Sequence, residues 1–424
     1  MGKLVIEGGK PLSGTIVIHG AKNAALPILA STLLSPGTLT IRNVPRLSDI
    51  EVMLRILEEL GCGVQHEGST ATVRASTASS WHVPEHLMRR VRSSLFLMGP
   101  LLGRFGKACV YHPGGCAIGE RKIDLHLRGL RALGVRIEET GNRIVCEADR
   151  LKGDEVVLDY PSVGATENIM TAAVLAKGRT VIVGAAREPE IQDLQNFLNA
   201  MGARVRGAGT DIIVIDGVQE LGPCDYEIIP DRIVSGTIMA AVAAVGGDVR
   251  LERTEPAHLT AIIHTLRRAG VHIEYGDDII RVASSRRPRA VERIVTAPYP
   301  AFPTDLQAQA MAALSLADGV SVIKETVFEG RFRHVEELCR MGANIRLDLN
   351  AAIIRGVPGL SGATVEATDL RAGAALVIAG LAAEGRTVVD QVHHIDRGYD
   401  RIERMFQRLG ATIERVPDEN EQPR

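Results

Sequence analysis

One cysteine stands apart by its setting. Cys116 lies in YHPGGCAIGER (residues 111–121), directly behind the turn signal Pro113-Gly114-Gly115, with Gly119 as a further pivot. His112, Arg121 and Lys122 are close in sequence, and nearby cations favour the thiolate. Cys116 therefore reads as a reactive thiol on a mobile loop, acting as acid or nucleophile. Glu120 works the other way, because an adjacent anion disfavours thiolate. A chance cysteine in a surface loop is the plain alternative. Cys62, Cys109, Cys146, Cys224 and Cys339 form no C-x-x-C pair or zinc-finger spacing, and read as small hydrophobes.

A second set of reactive groups recurs where a short strand hands over to an Ala-rich stretch. Lys22-Asn23, Arg92, Ser162, Asp231-Arg232, Asp305 and Asp369 with Arg371 occupy that junction in turn. A helix start offers unpaired N–H groups and the positive end of the dipole, which suits anions. Asp369 and Asp231 also read as ordinary N-caps. Lys and Arg oppose the dipole, so capping does not account for them, and an anionic ligand does. Arg121, Arg331 and Arg397 add cations in the loops before the second helices. The predicted ligands are phosphates and carboxylates held by charge-assisted bonds.

The elements that must position these groups follow a repeat. A helix end, a Gly, a small residue and an alternating strand recur at Gly61, Gly134, Gly202, Gly270, Gly342 and Gly410, 68 to 73 residues apart. Each Gly fits a helix C′ position, where φ is positive. Within a unit, a strand precedes an Ala-rich helix, as in GTIVIHGAKNAALPILAST, and a second strand and an amphipathic helix follow. In the last unit Ile402, Met405, Phe406 and Leu409 share one helix face. The Ala-rich helices are apolar nearly all round, which predicts that they lie inside. The spacing between the second strand's opening Gly and the repeated Gly is 23 to 25 residues in five units and 28 in the second. The excess falls on the Cys116 loop. These patterns predict an α/β protein of six βαβαββ units, three in each of two domains; a repeat scaffold that binds by shape is the alternative.

The chain has 424 residues, enough for two domains, with 45% hydrophobic and 24% charged residues. Its net charge of −2 and 3% aromatic content argue against nucleic acid, membrane surfaces and stacking platforms. With no visible secretory signal, a cytoplasmic protein with reduced thiols is expected. His393-His394-x-Asp396 is a weak metal signal, because neighbouring side chains on a strand point apart. His334-x-x-Glu337 reads as a solvated helix face. No nucleotide-binding glycine motif of the common kinds is present.

Nine segments, in order, make the chain resemble the UDP-N-acetylglucosamine enolpyruvyl transferases over essentially its whole length. They are GAKNAALPILA (20–30), PGGCAIGERKIDLH (113–126), SVGATENIM (162–170), AAREPEIQDL (185–194), PDRIVSGT (230–237), AFPTDLQAQ (301–309), ETVFEGRF (325–332), ATDLRAGAALV (367–377) and HIDRGYDRIE (394–403). The resemblance implies a two-domain inside-out α/β barrel with six βαβαββ repeats. One domain would take 21–229, with the Cys116 loop. The other would take 1–20 and 230–424, with the active site in the cleft between them. It implies phosphoenolpyruvate and UDP-N-acetylglucosamine as substrates, no cofactor, no metal, no nucleic acid or membrane partner, and a monomer or weak oligomer.

The implied chemistry is protonation of the enol ether, attack of the sugar 3′-hydroxyl, and expulsion of phosphate. Cys116 would serve as acid or transient nucleophile, open to alkylation by fosfomycin, and Asp305 would take the hydroxyl proton. Lys22, Arg121 and Arg397 would clamp phosphate, Arg331 and Arg371 would meet the pyruvyl carboxylate and neighbouring charge, and Asp369 would also bind substrate. Asn23, Arg92, Arg121, Lys122, Ile123, Asp124, Leu125, Tyr160, Pro161, Ser162, Val163, Asp305 and Val327 would line the UDP-sugar site. Ser48, Tyr160 and Val234 depart from residues seen in some members, which bears on nucleotide contacts more than on reaction class. The alternatives are transfer to shikimate 3-phosphate or another nucleotide, and a non-catalytic ligand-binding paralogue.

Overall fold

The recurring phrase folds the same way at all six places. Gly61, Gly134, Gly202, Gly270, Gly342 and Gly410 each take a left-handed φ between 86° and 101°. The following N–H reaches back to a carbonyl of the last helical turn, as in Cys62 to Leu57 (2.9 Å) and Ala411 to Phe406 (3.0 Å). Only glycine adopts that φ without a Cβ penalty, so the helix stops there and a strand begins. In the strand Arg204–Arg206 the two arginines are exposed and Val205 is buried.

The computed structural model describes residues 2–90, 92–112, 123–285 and 287–417. It is mixed α/β. Among these residues the strands form five four-stranded sheets and one of three strands. Four-stranded sheets share one order. Arg179–Val183, for example, pairs in parallel with Glu155–Val157 and antiparallel with Ile212–Asp216, which pairs antiparallel with Arg204–Arg206. The sheet of Lys107–Tyr111, Arg143–Glu147 and Arg136–Thr140 has three strands. At the place of its missing parallel strand, His82 makes a single bridge to Cys109.

The described chain divides into two compact units. A central unit takes 20–112 and 123–229, and a terminal unit takes 2–19 and 230–417. The break falls one residue before the expected one, at Gly20. Each unit has its own apolar core. In the terminal unit the buried helices Arg232–Val245, Gln307–Leu314 and Leu370–Ala382 pack on one another. In the central unit Met98–Phe105 packs on Val163–Ala173, where a Cβ on Gly99 would lie 2.1 Å from Thr171 Oγ1. No helix among the described residues is long and apolar enough to cross a membrane.

The chain crossings correct one reading of the repeat. The segment GTIVIHGAKNAALPILAST, expected to supply the strand and helix of a single unit, divides between the two units. Its strand, Leu12–Val17, instead pairs with Gly247–Glu252 in the terminal unit, while its helix, Lys22–Ser31, belongs to the central unit. The central helix takes its strand partner from Asp225–Glu227, which lies parallel to Thr38–Arg42. Local sequence cannot reveal this exchange, because strand and helix are contiguous at both crossings. Hydrogen bonds close each unit there: Ala21 N–H donates to Ile229 O (2.7 Å), and Asp231 N–H donates to His19 O (2.9 Å). A Cβ on Gly20 would fall 1.8 Å from the Asn43 carbonyl oxygen, so this crossing needs glycine for a close approach.

Two weak signals also change. His334 and Glu337, expected to face solvent, are both buried on the helix His334–Arg340. His393 and His394 lie on a 3-10 turn, Val392–Arg397, rather than on a strand, with ring centroids 4.1 Å apart. Asp396, their sequence neighbour, is engaged by Arg415 at 2.6 and 2.8 Å.

Candidate active site

In the terminal unit three predicted residues converge. Pro303 ends an extended stretch, and the 3-10 turn Thr304–Leu306 presents Asp305 just before the helix Gln307–Leu314. Arg331 arrives from the loop after the strand Val320–Lys324, and Arg371 from the first turn of Leu370–Ala382. Arg331 Nη2 meets Asp305 Oδ1 at 2.7 Å, and Arg371 Nη2 meets Oδ2 at 2.7 Å. Both guanidiniums are nearly buried, whereas the Asp305 side chain keeps 24% of its surface exposed. The carboxylate is thus the accessible member of a buried cationic fork.

Electrostatics follow from that geometry. Burial alone would raise the Asp305 carboxyl, but the charges of Arg371 and Arg331, with their hydrogen bonds, outweigh it and hold it well below the usual carboxylate range. Arg371 is fixed from several sides. Its Nη1 approaches Tyr399 OH at 3.4 Å and its guanidinium lies 5.8 Å from that ring. Tyr399 OH in turn meets Thr237 Oγ1 (2.8 Å) and receives a bond from Gln309 Nε2 (3.2 Å). Beside this group, burial pushes the His334 imidazole well down, with Asp369 opposing and Arg331 assisting the fall.

Other predicted residues of this unit take definite places. Asp369 caps its helix, accepting from the N–H groups of Arg371 (2.8 Å) and Ala372 (3.1 Å). Asp231 does the same for Ile233 and Val234. Capping therefore accounts for both aspartates. Val327 is half-buried, and its N–H donates to Glu325 Oε1 at 2.7 Å. Arg397 ends the 3-10 turn Val392–Arg397 and is half-buried.

The central unit carries a second group. Lys22 is the first residue of its helix and is 7% exposed. Its Nζ lies 2.6 Å from Asp49 Oδ2, itself buried in the first turn of Ser48–Glu59. The charge expected to seek an external anion is thus met by a carboxylate of the protein. Asn23 follows in the same turn, half-buried. At Arg92 the backbone opens the 3-10 turn Arg92–Leu97. Ile123 and Leu125 are half-buried at the start of the helix Asp124–Ala132, with Asp124 exposed in its first turn. Tyr160 is exposed, Pro161 and Val163 are half-buried, and Ser162 caps the helix Val163–Ala173 by accepting from Ala165 N–H at 3.3 Å. Cys116, Arg121 and Lys122 lie outside the described residues.

Sequence reasoning missed Asp49, Thr304, Glu325 and Tyr399. Asp49 sits at a second-helix start, where the repeat gave no reason to look. Glu325 and Tyr399 lie within recognised segments, but only their three-dimensional partners distinguish them from ordinary polar residues.

Known proteins resemble the chain over nearly its whole length. The family model for EPSP synthase (3-phosphoshikimate 1-carboxyvinyltransferase) matches residues 6–416. The chain is 52% identical over 416 residues to UDP-N-acetylglucosamine 1-carboxyvinyltransferase 2 of Caldanaerobacter subterraneus subsp. tengcongensis, covering 98% of this chain and 100% of the relative. It is 49% identical over 418 residues to UDP-N-acetylglucosamine 1-carboxyvinyltransferase of Geobacter metallireducens, covering 99% and 100%. Among solved structures, the enolpyruvyl transferase NikO from Streptomyces tendae matches with a TM-score of 0.89 at 26% identity, over 98% of this chain and 99% of that one. EPSP synthase from Acinetobacter baumannii shares the fold, with a TM-score of 0.75 at 18% identity, over 98% and 100%.

Proposed function

The chain belongs to the EPSP synthase family of enolpyruvyl transferases, and on that premise we propose that it moves the enolpyruvyl group of phosphoenolpyruvate to the 3′-hydroxyl of UDP-N-acetylglucosamine, releasing phosphate. The reaction class is carried by one observation, the accessible Asp305 carboxylate held by two buried guanidiniums. The acceptor is carried by the full-length relatives, whose names specify the UDP-sugar although the family model is described by shikimate phosphate.

The Arg331–Arg371 fork is suited to a substrate carboxylate, since guanidiniums bind carboxylates in charge-assisted pairs. Asp305 occupies that fork and is too weak a base while both arginines hold it. A substrate anion that draws on the guanidiniums leaves Asp305 free to take the proton of the attacking hydroxyl. Addition places that hydroxyl oxygen on the central carbon, with a proton delivered to the methylene carbon. Elimination then removes a proton from the resulting methyl group, re-forms the double bond and expels phosphate. In this reading Cys116 is the acid or transient nucleophile, and Lys22, Arg121 and Arg397 hold phosphate. Asn23, Arg92, Lys122, Ile123, Asp124, Leu125, Tyr160, Pro161, Ser162, Val163 and Val327 contact the UDP-sugar, and Asp369 holds Arg371 through its cap.

We read the sheets as six copies of one βαβαββ unit, three in each compact unit, in the manner of an inside-out α/β barrel. A cytoplasmic location fits the free thiols of Cys62, Cys109, Cys146, Cys224 and Cys339, and a monomer or weak oligomer goes with this reading as a further proposal. The deciding measurement is phosphate release from phosphoenolpyruvate with UDP-N-acetylglucosamine or shikimate 3-phosphate as acceptor. Turnover is expected with the UDP-sugar alone; turnover only with shikimate 3-phosphate would overturn the acceptor assignment.

A further inference from the structure

Glu325 is fully buried immediately after the strand Val320–Lys324. Its parallel neighbour, Arg293–Val295, is followed at once by Thr296, so the two residues leave adjacent strands side by side. Glu325 Oε1 accepts from Thr296 Oγ1 (2.7 Å), Val327 N–H (2.7 Å) and Phe328 N–H (3.1 Å). Its Oε2 accepts from Thr304 Oγ1 (2.8 Å). All four of these side-chain bonds run toward the Glu325 carboxylate.

The last of these bonds orients a hydroxyl. Thr304 gives its proton to Glu325, so its lone pairs face the other way, and Arg331 Nη1 donates to them at 2.9 Å. Thr304 is also the residue before Asp305, and Val327 and Phe328 begin the loop that carries Arg331. One carboxylate therefore ties together the backbone turn that presents Asp305, the loop that presents Arg331, and the direction of the Arg331 fork.

We propose that Glu325 is a positioning residue for the transfer, setting Arg331 for the donor's carboxylate through the Thr304 hydroxyl. The inference rests on the function proposed above. In Glu325→Gln the amide oxygen stays where three donors meet, so its NH2 group faces Thr304. The Thr304 oxygen then confronts two donors, the amide and Arg331, and the relay loses its polarity. Thr304→Val cuts the same relay while leaving Glu325 and its three other bonds in place. Thr304→Ser keeps the hydroxyl.

Steady-state phosphate release from the full chain, with Tm measured in parallel, tests this. Glu325→Gln and Thr304→Val are each expected to raise KM for phosphoenolpyruvate by about tenfold, as for loss of one charge-assisted hydrogen bond. KM for UDP-N-acetylglucosamine should stay within about twofold, the double variant should be no worse than the poorer single one, and Thr304→Ser should restore the parent value. Unchanged donor KM in Thr304→Val, multiplying effects in the double variant, or equal rises for both substrates would overturn the positioning role while leaving the transferase reading intact. No phosphate release by the parent chain with either acceptor would overturn that reading, and this inference with it.

Discussion

At the scale of single residues, the site is governed by where charge is compensated. Asp305 lies between Arg331 and Arg371 at 2.7 Å from each, and both arginines are nearly buried. Asp305→Asn removes a negative charge that the two share directly. Loss of the hydroxyl's proton acceptor should lower kcat by about 100-fold or more, read from steady-state phosphate release. The same variant should be less stable at neutral pH, because truncating a charge pair strands its partners. The sign with pH is fixed by the direction of the shift. The folded carboxyl titrates below its unfolded value, so its stabilisation is complete above about pH 3.9 and fades as pH falls toward the folded value. Unfolding curves of parent and variant should therefore converge in acid; a gap that persists unchanged there would show that charge is not the cause. The charged residues at helix starts were legible in sequence as a set. Their partners were not, because Lys22 finds Asp49 and Arg371 finds Asp305 only through packing.

At the scale of elements, the repeated Gly and the strand alternation were legible because both are local. The φ of each C′ glycine and the burial of Val205 between exposed arginines need no distant partner. The helix His334–Arg340 shows the limit, since His334 and Glu337, which read as solvated, are buried where it packs on the helix Leu370–Ala382. The helix Pro189–Ala200 carries a comparable surprise. Asp193 accepts from Tyr226 OH at 2.5 Å and from Ile229 N–H at 3.4 Å, fastening the end of the central unit to this helix. Burial pushes its carboxyl up to about 7, against the Tyr226 and Ile229 bonds, with Glu190 adding to the rise. A raised carboxyl favours folding at low pH, and that advantage is lost progressively as pH climbs from about 4 to 7. Asp193→Asn keeps the acceptor for Tyr226 without the charge. It should match the parent near pH 4 and exceed it in thermal stability at pH 8, by about 4 kcal/mol at most. Equal pH profiles of Tm would refute the assignment.

At the scale of the whole molecule, connectivity decides which segments form a folding unit. The central unit begins at Gly20 and ends at Ile229, and the Ala21–Ile229 hydrogen bond brings those ends together. Its last strand, Asp225–Glu227, completes the sheet of Thr38–Arg42. A separately expressed chain of residues 20–229 keeps every described strand partner of that unit, and chain ends that lie close together suit an independent domain. It should show cooperative thermal unfolding by circular dichroism and no phosphate release. A non-cooperative trace over all temperatures would show that the unit depends on the rest of the chain.

The amino-acid sequence by itself determined the α/β class, the helix stops at six glycines, the interior placement of the Ala-rich helices and the charged residues at their starts. Each of these is set by a local period, a local backbone angle or a residue's own polarity. Tertiary structure alone decided that Leu12–Val17 leaves its neighbouring helix for a strand some 230 residues away, that Asp49 meets Lys22, and that Glu325 governs the hydroxyl facing Arg331. Those outcomes depend on which distant groups share a buried space. There the cost of an unpaired charge or hydrogen bond selects the partner, and the residues themselves carry no mark of it.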